Sequence, residues 1–400
     1  MVETSGPRGR IGLIKAVGEG ELDLLSPGFV HQMSECLDCR ACEAVCPSGV
    51  MYGQLVETAR TQIERASRPA LAPHVSFARF VALRVLFTNM AVMRLAASLL
   101  RFYQHSPLQS AVRASGLLRT FKLQESERLA PPISKRFFVP ADQRYPAAKE
   151  RMTALLHTGC VMHVAFAHVH EATVRVLQKS GCSVVVPRGQ GCCGAIAVHA
   201  GEMQQGRELA KRNIAAFEKS GADVYVVNAA GCGSALKEYG RMFASDDRWS
   251  VRAERFSKCV RDVNELLDEL GLAPELGNVN QTATYQDACH LAHAQRIAAA
   301  PRRLLQQIPG LTLREMAESS VCCGSAGVYN LTQPDMARRL QMRKISNIES
   351  AGADLVITAN PGCALQIAAG LSAAGNATPV VHVVEMLDRS YQNYEEVKAS

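Results

Sequence analysis

The sequence predicts a mixed α/β protein in which a short helical segment precedes two copies of a domain built on a mainly parallel sheet. Three observations predict this fold class. Four cysteines lie within eleven residues near the start of the chain, a second cysteine pattern occurs twice, and short apolar runs alternate with amphipathic stretches in both copies. Such alternation is typical of β-α-β units. A chain of 400 residues is long enough for two or three domains.

The first cysteine pattern runs from Cys36 through Cys39 and Cys42 to Cys46, which a proline follows. Its spacing, C-x2-C-x2-C-x3-C-P, is that of bacterial ferredoxin ligands for a [4Fe–4S] cluster. Zinc sites more often pair two C-x2-C units across a long spacer. We therefore expect an N-terminal α-helical, ferredoxin-like [4Fe–4S] domain over residues 1–66, with these four cysteines as the metal ligands.

Residues 67–148 are expected to form a basic helical connector. The stretch 60–151 contains 16 Lys/Arg and 5 Asp/Glu, a local net charge of +11, whereas the whole chain carries +7. Its most apolar part, residues 75–100, is interrupted by arginines, and the nine residues between Arg84 and Arg94 are too few to cross a bilayer. An amphipathic helix that docks on a membrane surface or a partner subunit fits this pattern. The alternative is a solvated basic face on helices that pack internally. No nucleic-acid motif occurs in it, so nucleic acid is not expected as a partner.

The second cysteine pattern indicates a duplicated domain, predicted over residues 149–278 and again over 279–400. Corresponding cysteines are offset by 129, 130 and 131 residues, so the unit was duplicated almost without insertion. Sites in parallel sheets form in loops beyond the carboxyl ends of strands, and all of these cysteines fall in or beside such loops. We expect a cluster or redox role for two sets of four: Cys160, Cys192, Cys193 and Cys232, and then Cys289, Cys322, Cys323 and Cys363.

The strands and helices of the two copies are predicted in the same order. The predicted strands span residues 153–157, 184–187, 224–228, 283–285, 312–314 and 355–358. The predicted helices span residues 165–179, 202–219, 292–307 and 334–350.

The spacing of these cysteines resembles that of the CCG cysteine-rich domain. That domain occurs in the heterodisulfide reductase catalytic subunit and in iron–sulfur subunits of flavin-linked 2-hydroxy-acid dehydrogenases. Three further stretches make the chain similar, over nearly its whole length, to the family of glycolate oxidase (glycolate dehydrogenase) iron–sulfur subunits: Gly6–Lys15, Cys36–Tyr52 and Cys322–Tyr329.

The resemblance implies an electron-transfer subunit with no catalytic residue of its own. FAD would be bound by partner glycolate oxidase subunits, which oxidise glycolate to glyoxylate and for which D-lactate is a further candidate substrate. This chain would relay the electrons through one or more [4Fe–4S] clusters to a quinone or another acceptor. It would be cytoplasmic and peripheral on the inner face of the cell membrane. Related complexes that act on lactate, glycerol-3-phosphate or heterodisulfides are the alternatives.

The sequence departs from the family pattern in two ways. Family members carry two ferredoxin-type motifs with the Gly-Pro-Arg-Gly-Arg stretch between them, but here that stretch begins at Gly6. We therefore expect a truncated or misassigned start; the alternative is that all four N-terminal cysteines close around one cluster. In addition, Ala235 and Gln366 occupy the positions where the heterodisulfide reductase pattern has a fifth cysteine. The four cysteines that remain in each repeat can still hold a [4Fe–4S] cluster, and the alternative is that the Cys-Cys-Gly pairs are packing residues in glycine-rich turns. A catalytic thiol–disulfide reductase with these pairs as its active centre is another alternative, and the missing fifth cysteines weigh against it.

The remaining candidates carry weaker signals. Cys182 and Cys259 break the repeat and are expected to be inert buried thiols. The histidines beside the leading cysteines, which are His163, His290 and His293, either tune a metal site or have packing roles. No P-loop or complete dinucleotide fingerprint occurs, in keeping with a flavin bound by a partner.

Overall fold

The computed structural model describes residues 3–67, 73–120 and 123–399. Two sheets, dominated by parallel pairs, are surrounded by helices, so the predicted α/β class is confirmed. The strands are β1 (Gln143–Tyr145), β2 (Met152–Leu156), β3 (Cys182–Val186), β4 (Val224–Val227), β5 (Val260–Asp262), β6 (Gln281–Gln286), β7 (Leu311–Leu313), β8 (Leu355–Thr358) and β9 (Val380–His382).

Helices fill the N-terminal and middle parts of the chain and flank both sheets. The α-helices are α1 (Pro7–Gly18), α2 (Pro27–Glu35), α3 (Ala41–Ala44), α4 (Tyr52–Ser67), α5 (Pro73–Phe80), α6 (Met90–His105), α7 (Pro107–Ala114), α8 (Leu117–Thr120), α9 (Gln124–Arg128), α10 (Val161–Ala165), α11 (Ala167–Lys179), α12 (Ala195–His199), α13 (Met203–Ser220), α14 (Ala230–Lys237), α15 (Tyr239–Met242), α16 (Ser250–Cys259), α17 (Val263–Leu270), α18 (Ala299–Leu305), α19 (Tyr329–Thr332), α20 (Pro334–Ala351), α21 (Pro361–Ala373) and α22 (Val383–Ala399). Helical turns of other types cover Glu3–Ser5 (3-10), Val81–Leu86 (π) and His290–Ala294 (π).

Helices α1 to α4 enclose a small apolar core of their own. Its buried members come from α2, α4 and the start of the cysteine loop: Phe29, Met33, Cys36, Tyr52, Val56 and Ala59. Pro27 opens α2 at a position where the missing N–H costs nothing. Because Cys36 is part of this core, the loop that carries the N-terminal cysteines is fixed at its first residue.

The middle helices present an apolar surface to solvent. Helix α6 begins at a cap in which Asn89 Oδ1 accepts hydrogen bonds from the backbone N–H groups of Ala91 and Val92. One face of α6 is buried, whereas three large apolar side chains on the other face are more than 60% exposed. We define the linker face as the exposed apolar residues of α5 and α6: Phe77, Phe80, Leu95, Leu99 and Phe102. Nowhere in the described part of the chain is a helix both long and apolar enough to cross a membrane.

The first sheet has the strand order β1-β3-β2-β4-β5. Strand β2 lies at its centre, where Ala154 pairs with Val184 on one side and Val224 on the other, both in parallel. Strand β1, from the end of the connector, adds an antiparallel edge beside β3. Parallel strands end at the same edge of a sheet, so the loops that follow β2, β3 and β4 converge.

The second sheet has the order β7-β6-β8-β9, and all of its pairs are parallel. The helix predicted over 292–307 is instead two pieces, the π turn that ends at Ala294 and helix α18. Between them Arg296 has a φ of 59°, in the left-handed region, which interrupts a right-handed helix.

The two repeats share one apolar core and are bonded directly to each other. The guanidinium group of Arg175 on α11 donates two hydrogen bonds, of 2.8 and 2.7 Å, to the carboxylate of Asp388 on α22. At the strand ends, the Ala230 N–H donates to the Ala359 carbonyl at 3.1 Å. The Gly231 N–H donates to Asn360 Oδ1, also at 3.1 Å. The cysteine loops of the two repeats therefore face each other.

Candidate metal centres

Two sets of four cysteines and one cysteine of the N-terminal loop line a single cavity. The cavity has a volume of about 540 Å³ and lies between the N-terminal segment and the two repeats. Its cysteines are Cys36, Cys160, Cys192, Cys193, Cys232, Cys289, Cys322, Cys323 and Cys363. The structure thus brings together both sets of repeat cysteines that the sequence pattern singled out.

The first centre is formed by loops that follow three neighbouring strands. Cys160 follows β2, Cys192 and Cys193 follow β3, and Cys232 lies in the first turn of α14 after β4. The Sγ atoms of Cys160 and Cys192 are 3.7 Å apart, far beyond the disulfide length of about 2.05 Å. All of these cysteines are free thiols. Cys192 and Cys160 are therefore joined by a hydrogen bond from the Cys192 thiol and not by a covalent bond.

The second centre repeats this arrangement. Cys289 follows β6, Cys322 and Cys323 follow β7, and Cys363 lies in the first turn of α21 after β8. Contact with the Cys322 thiol and burial raise the pKa of Cys289 well above its usual range. Thiols held in this way are protonated until a cation displaces the proton, as is usual for cysteine metal ligands.

The glycine of each Cys-Cys-Gly sequence shapes its loop in the same way. Gly194 has a φ of 86° and Gly324 a φ of 89°, both in the left-handed region that favours glycine. This conformation turns each glycine N–H back toward the first cysteine of the pair, so that it donates to Cys192 Sγ or Cys322 Sγ at 3.4 Å. Donors of this kind stabilise negative charge on sulfur.

The donor sets fit an iron–sulfur centre. Each repeat supplies four thiols that are buried or half-buried, and N–H groups point at the sulfurs. In the second centre the Asn360 side-chain amide also donates to Cys363 Sγ at 3.3 Å. Soft thiolate ligands select Fe–S clusters, zinc or Cu(I) over hard cations. Cys160, Cys192, Cys193 and Cys232 would hold one such group, and Cys289, Cys322, Cys323 and Cys363 a second.

The N-terminal loop lies against the second repeat. Burial, together with the nearby Cys289 thiol, raises the pKa of Cys39 to about 11. Burial also raises the pKa of Cys42 to about 11, with the thiols of Cys39 and Cys36 as neighbours. Backbone N–H groups donate to the first and last sulfurs of the loop, from Asp38 to Cys36 at 3.4 Å and from Val50 to Cys46 at 3.5 Å.

A buried ionic network joins this loop to the repeats. No sequence motif indicates it. Arg40 is only 2% exposed and has a left-handed φ of 61°. Its guanidinium group contacts the carboxylates of Asp38, Glu57 and Glu238 at 2.7, 3.1 and 3.1 Å, and that of Glu43 at 3.5 Å. Glu238 belongs to the first repeat, so a single cation joins the N-terminal segment to it.

Two histidines extend the network to both repeats. His199 Nδ1 lies 3.2 Å from Asp38 and 3.4 Å from Glu57. Burial lowers the pKa of His199, but these two carboxylates raise it by more, to about 9. His290 Nε2 donates to the Asp38 carbonyl at 2.9 Å, which joins the second repeat to the same loop.

Two further histidine candidates each have a backbone partner at one ring nitrogen. His163 Nδ1 lies 3.1 Å from the Gly159 carbonyl, and His293 Nε2 lies 3.1 Å from the Ser320 carbonyl. The other nitrogen of His163, Nε2, is buried without a partner among the described residues. Cys182 lies inside β3 and Cys259 at the end of α16, and neither lines the cavity.

His157, which the sequence analysis did not single out, lies beside the first centre. One of its ring nitrogens, the Cys193 Sγ and the Cys232 Sγ all lie within 4.8 Å of one another. Burial lowers the pKa of His157 to about 3, so the ring is neutral. The available signal was its position three residues before the leading cysteine, where the second repeat has Gln286.

Family models match three parts of the chain. A model of the CCG cysteine-rich domain matches residues 154–237 and 283–368. A model of the linker region of the glycolate oxidase iron–sulfur subunit matches residues 74–130.

Curated proteins resemble the chain over nearly its full length. It is 40% identical over 398 residues to the "probable glycolate oxidase iron-sulfur subunit" of Bacillus subtilis, which covers 96% of this chain and 88% of that protein. It is 33% identical over 393 residues to the glycolate oxidase iron–sulfur subunit of Escherichia coli, with 98% and 89% covered. Lactate utilization protein A of Shouchella clausii is 32% identical over 238 residues, 59% of this chain and 99% of that protein. The chain belongs to the family of glycolate oxidase iron–sulfur subunits.

Proposed function

We propose that this chain is the electron-transfer subunit of a flavin-dependent glycolate dehydrogenase complex. Partner subunits that bind FAD oxidise glycolate to glyoxylate, and this chain passes the electrons toward the respiratory quinone. The observation that carries the proposal is the convergence of three cysteine sets: eight repeat cysteines and Cys36 line one cavity, and Cys39 lies beside Cys289. Membership of the family supports the choice of glycolate.

The proposed ligands of a [4Fe–4S] cluster are Cys36, Cys39, Cys42 and Cys46, and each repeat holds a further iron–sulfur group. Such groups supply one-electron chemistry, which a flavin needs when its two electrons are passed on singly. The chain's own part is to hold the groups close together, to exclude water from them and to donate N–H hydrogen bonds to their sulfurs. The N–H groups of Gly194 and Gly324 support that role.

Metal content tests the number of centres. Iron and acid-labile sulfide would be measured per chain on protein purified without oxygen. About eight to twelve irons are expected if the repeats carry groups as well as the N-terminal loop. About four irons would restrict the metal to the N-terminal cysteines and contradict the assignment of the repeats.

Reconstitution tests the electron relay. The partner flavoprotein subunits would be assayed for glycolate-dependent quinone reduction with and without this chain. A large loss of quinone reduction is expected without it, whereas reduction of a small dye by the flavin should persist. Equal rates to quinone with and without the chain would refute the proposal. With the Cys193→Ser variant, quinone reduction should be as slow as without the chain. With Cys259→Ser, which lies outside the cavity, it should be as fast as with wild type.

The linker face supports peripheral attachment to the inner face of the cell membrane. Leu95, Leu99 and Phe102 are spaced so that they share one face of α6, and they are 62%, 63% and 68% exposed. The surrounding stretch carries a net charge of +11. Exposed apolar side chains together with basic residues are the combination that binds anionic lipid surfaces.

Vesicle binding tests this attachment. Wild-type protein should sediment with vesicles of anionic lipid and less with neutral ones. The triple variant Leu95→Ser, Leu99→Ser, Phe102→Ser should lose that binding. Val251→Ser, which removes an apolar residue that is 79% exposed on α16, is the matched control and should bind normally. Equal binding by the triple variant would show that the linker face is not the part of the chain that binds lipid. It would then favour a partner subunit as the molecule that covers this face.

A lactate-oxidising complex is the second candidate. The relative named lactate utilization protein A, which aligns over nearly its whole length, favours it. One assay distinguishes the glycolate complex from the lactate complex. Glycolate and D-lactate would be supplied to parallel samples of the reconstituted complex, and the substrate that reduces it faster identifies the complex.

A further inference from the structure

We propose that the Nε2 atom of His157 is a metal ligand of the first centre, which therefore has a mixed nitrogen and sulfur donor set, whereas the second centre has cysteine ligands alone. This inference rests on the proposed function, in which each repeat holds an iron–sulfur group. It assigns to the first repeat a fifth donor in addition to Cys160, Cys192, Cys193 and Cys232.

The first argument is that Nε2 is buried without a partner. His157 is 2% exposed, and its Nε2 atom makes no hydrogen bond with any residue that the structure describes. Leaving a buried polar atom unpaired is unfavourable, so such an atom calls for an explanation. A nearby metal ion accounts for it, because imidazole is a good ligand for iron.

The second argument is that Nδ1 is already held, which leaves Nε2 as the ring nitrogen available to a metal. The phenol oxygen of Tyr225 lies 2.8 Å from His157 Nδ1, so this nitrogen is already satisfied. In the ligating tautomer Nδ1–H donates to that oxygen, which leaves the Nε2 lone pair free. Histidine ligands in proteins are commonly held by a hydrogen bond at the other ring nitrogen. Tyr225 is therefore a positioning residue and His157 the ligand.

The third argument is the contrast with the second repeat. Gln286 takes the place of His157, and its side chain is fully used: Nε2 donates to the Asp287 carbonyl, and Oε1 accepts from the Thr358 hydroxyl at 2.7 Å. Val356 takes the place of Tyr225 in the strand register. In the first repeat, a His157 nitrogen and the sulfurs of Cys193 and Cys232 all lie within 4.8 Å of one another. Within the described ranges, no histidine or carboxylate forms such a group with the thiols of the second repeat. Both the donor and the residue that orients it are thus specific to the first repeat.

A nitrogen ligand would make the two centres electronically different. The reduction potential of an iron–sulfur centre depends on its ligands, its net charge and the hydrogen bonds to its sulfurs. With the same number of thiolates in each repeat, the extra imidazole would give the two centres different potentials.

Pulsed EPR of the full-length holoprotein tests the ligand. Protein labelled with ¹⁵N-histidine would be compared with unlabelled protein in the reduced and oxidised states, with ⁵⁷Fe Mössbauer spectra of the same samples. A strong histidine nitrogen coupling is expected in wild type and should be lost in His157→Ala. The coupling should persist in Gln286→Ala and in His163→Ala, which removes a nearby histidine whose Nδ1 has a backbone partner.

Two further variants separate a ligand from a structural role. His157→Cys supplies a thiolate and should keep the iron content while it lowers the potential. His157→Gln, the residue of the second repeat, should keep iron on the four cysteines, as the second centre does, while it loses the histidine coupling. Iron bound in the repeats with no histidine coupling, or with coupling that survives His157→Ala, would overturn the ligand and leave the proposed function intact. Absence of iron from the repeats would instead overturn the cluster assignment, and the ligand with it.

Discussion

The two repeats use the same cysteine loops but surround them with different side chains. Each has a leading cysteine, a Cys-Cys-Gly turn with a left-handed glycine and a cysteine in the first turn of the following helix. Three of the corresponding positions that differ bear on the site: His157, His199 and Tyr225 in the first repeat are Gln286, Tyr329 and Val356 in the second. The duplicated part of the site is therefore the sulfur scaffold, and the groups that adjust it have diverged.

Both repeats also contact the N-terminal segment from equivalent positions, but through different kinds of interaction. In the first repeat His199 forms ion pairs with Asp38 and Glu57. In the second, the Tyr329 hydroxyl donates to the Glu35 carbonyl at 3.1 Å. One contact depends on charge and the other is a neutral hydrogen bond, so the two should respond differently to pH.

Removal of one cysteine from each repeat gives the largest expected effect. Cys193→Ser and Cys323→Ser each delete a buried thiol at the same place in the scaffold. Loss of a residue that only supports a metal ligand weakens binding by about 10- to 100-fold, so loss of a ligand should exceed about 100-fold. Each variant should lose one repeat's share of iron and sulfide, measured per chain. Iron loss from only one of the two variants would show that a single repeat binds metal.

Replacing the glycine of each Cys-Cys-Gly sequence by alanine should destabilise the chain more in the second repeat than in the first. A Cβ at Gly324 would lie 2.5 Å from the Ala337 carbonyl oxygen, whereas at Gly194 its nearest neighbour would be Gly206 Cα at 3.3 Å. Positive φ costs a non-glycine residue about 1–2 kcal/mol, and overpacking against backbone adds about 1–3 kcal/mol. Gly324→Ala should therefore lower the free energy of unfolding by about 2–5 kcal/mol and Gly194→Ala by about 1–2 kcal/mol. Denaturant melts check this order, and equal losses would contradict it.

The two contacts with the N-terminal segment should differ in their dependence on pH. The pKa of His199 rises from 6.5 to about 9 in the folded chain, so its stabilisation is fully present below about pH 6.5 and is lost as pH rises through 9. At 1.36 kcal/mol per pKa unit this amounts to about 3 kcal/mol. The unfolding free energies of wild type and His199→Gln should differ by that amount at pH 6 and converge at pH 10.

Tyr329→Phe is the matched comparison for that pH series. Burial raises the pKa of Tyr329 to about 12, so the phenol stays neutral up to pH 10. Its loss should cost about 1 kcal/mol at every pH from 6 to 10, the usual net value of one hydrogen bond. A pH-dependent cost for Tyr329→Phe, or a constant cost for His199→Gln, would contradict the assignment of charge to one contact only.

The parts of the site that the sequence predicted are those with a repeated or fixed spacing. The offsets of 129 to 131 residues between cysteines require equivalent loops, and the alternation of apolar and amphipathic stretches places those loops at strand ends. Strand β8 was predicted at its observed bounds, Leu355–Thr358, because four consecutive apolar or β-branched residues precede the cysteine turn. Local pattern was enough for these elements.

The parts that were missed depend on contacts between distant segments. Arg40 meets Glu238, 198 positions along the chain, and no local pattern indicates that pair. His157 became a candidate only through its place in the fold, where one ring nitrogen lies within 4.8 Å of the sulfurs of Cys193 and Cys232, residues of two other loops, and Nε2 has no partner among the described residues. The break in the helix predicted over 292–307 follows from the backbone of Arg296, a residue type that does not usually adopt a left-handed conformation.

The Arg40 network limits how the family's segments could be exchanged. Its guanidinium needs carboxylates from the N-terminal segment and from the first repeat, and Asp38 of the same loop accepts a hydrogen bond from the second. A chimera whose ferredoxin-type loop lacked Arg40 would leave the buried carboxylates of this network without their cation, at a cost of about 3–5 kcal/mol. The three segments have separate sequence signatures, but they can be inherited or engineered only as a matched set.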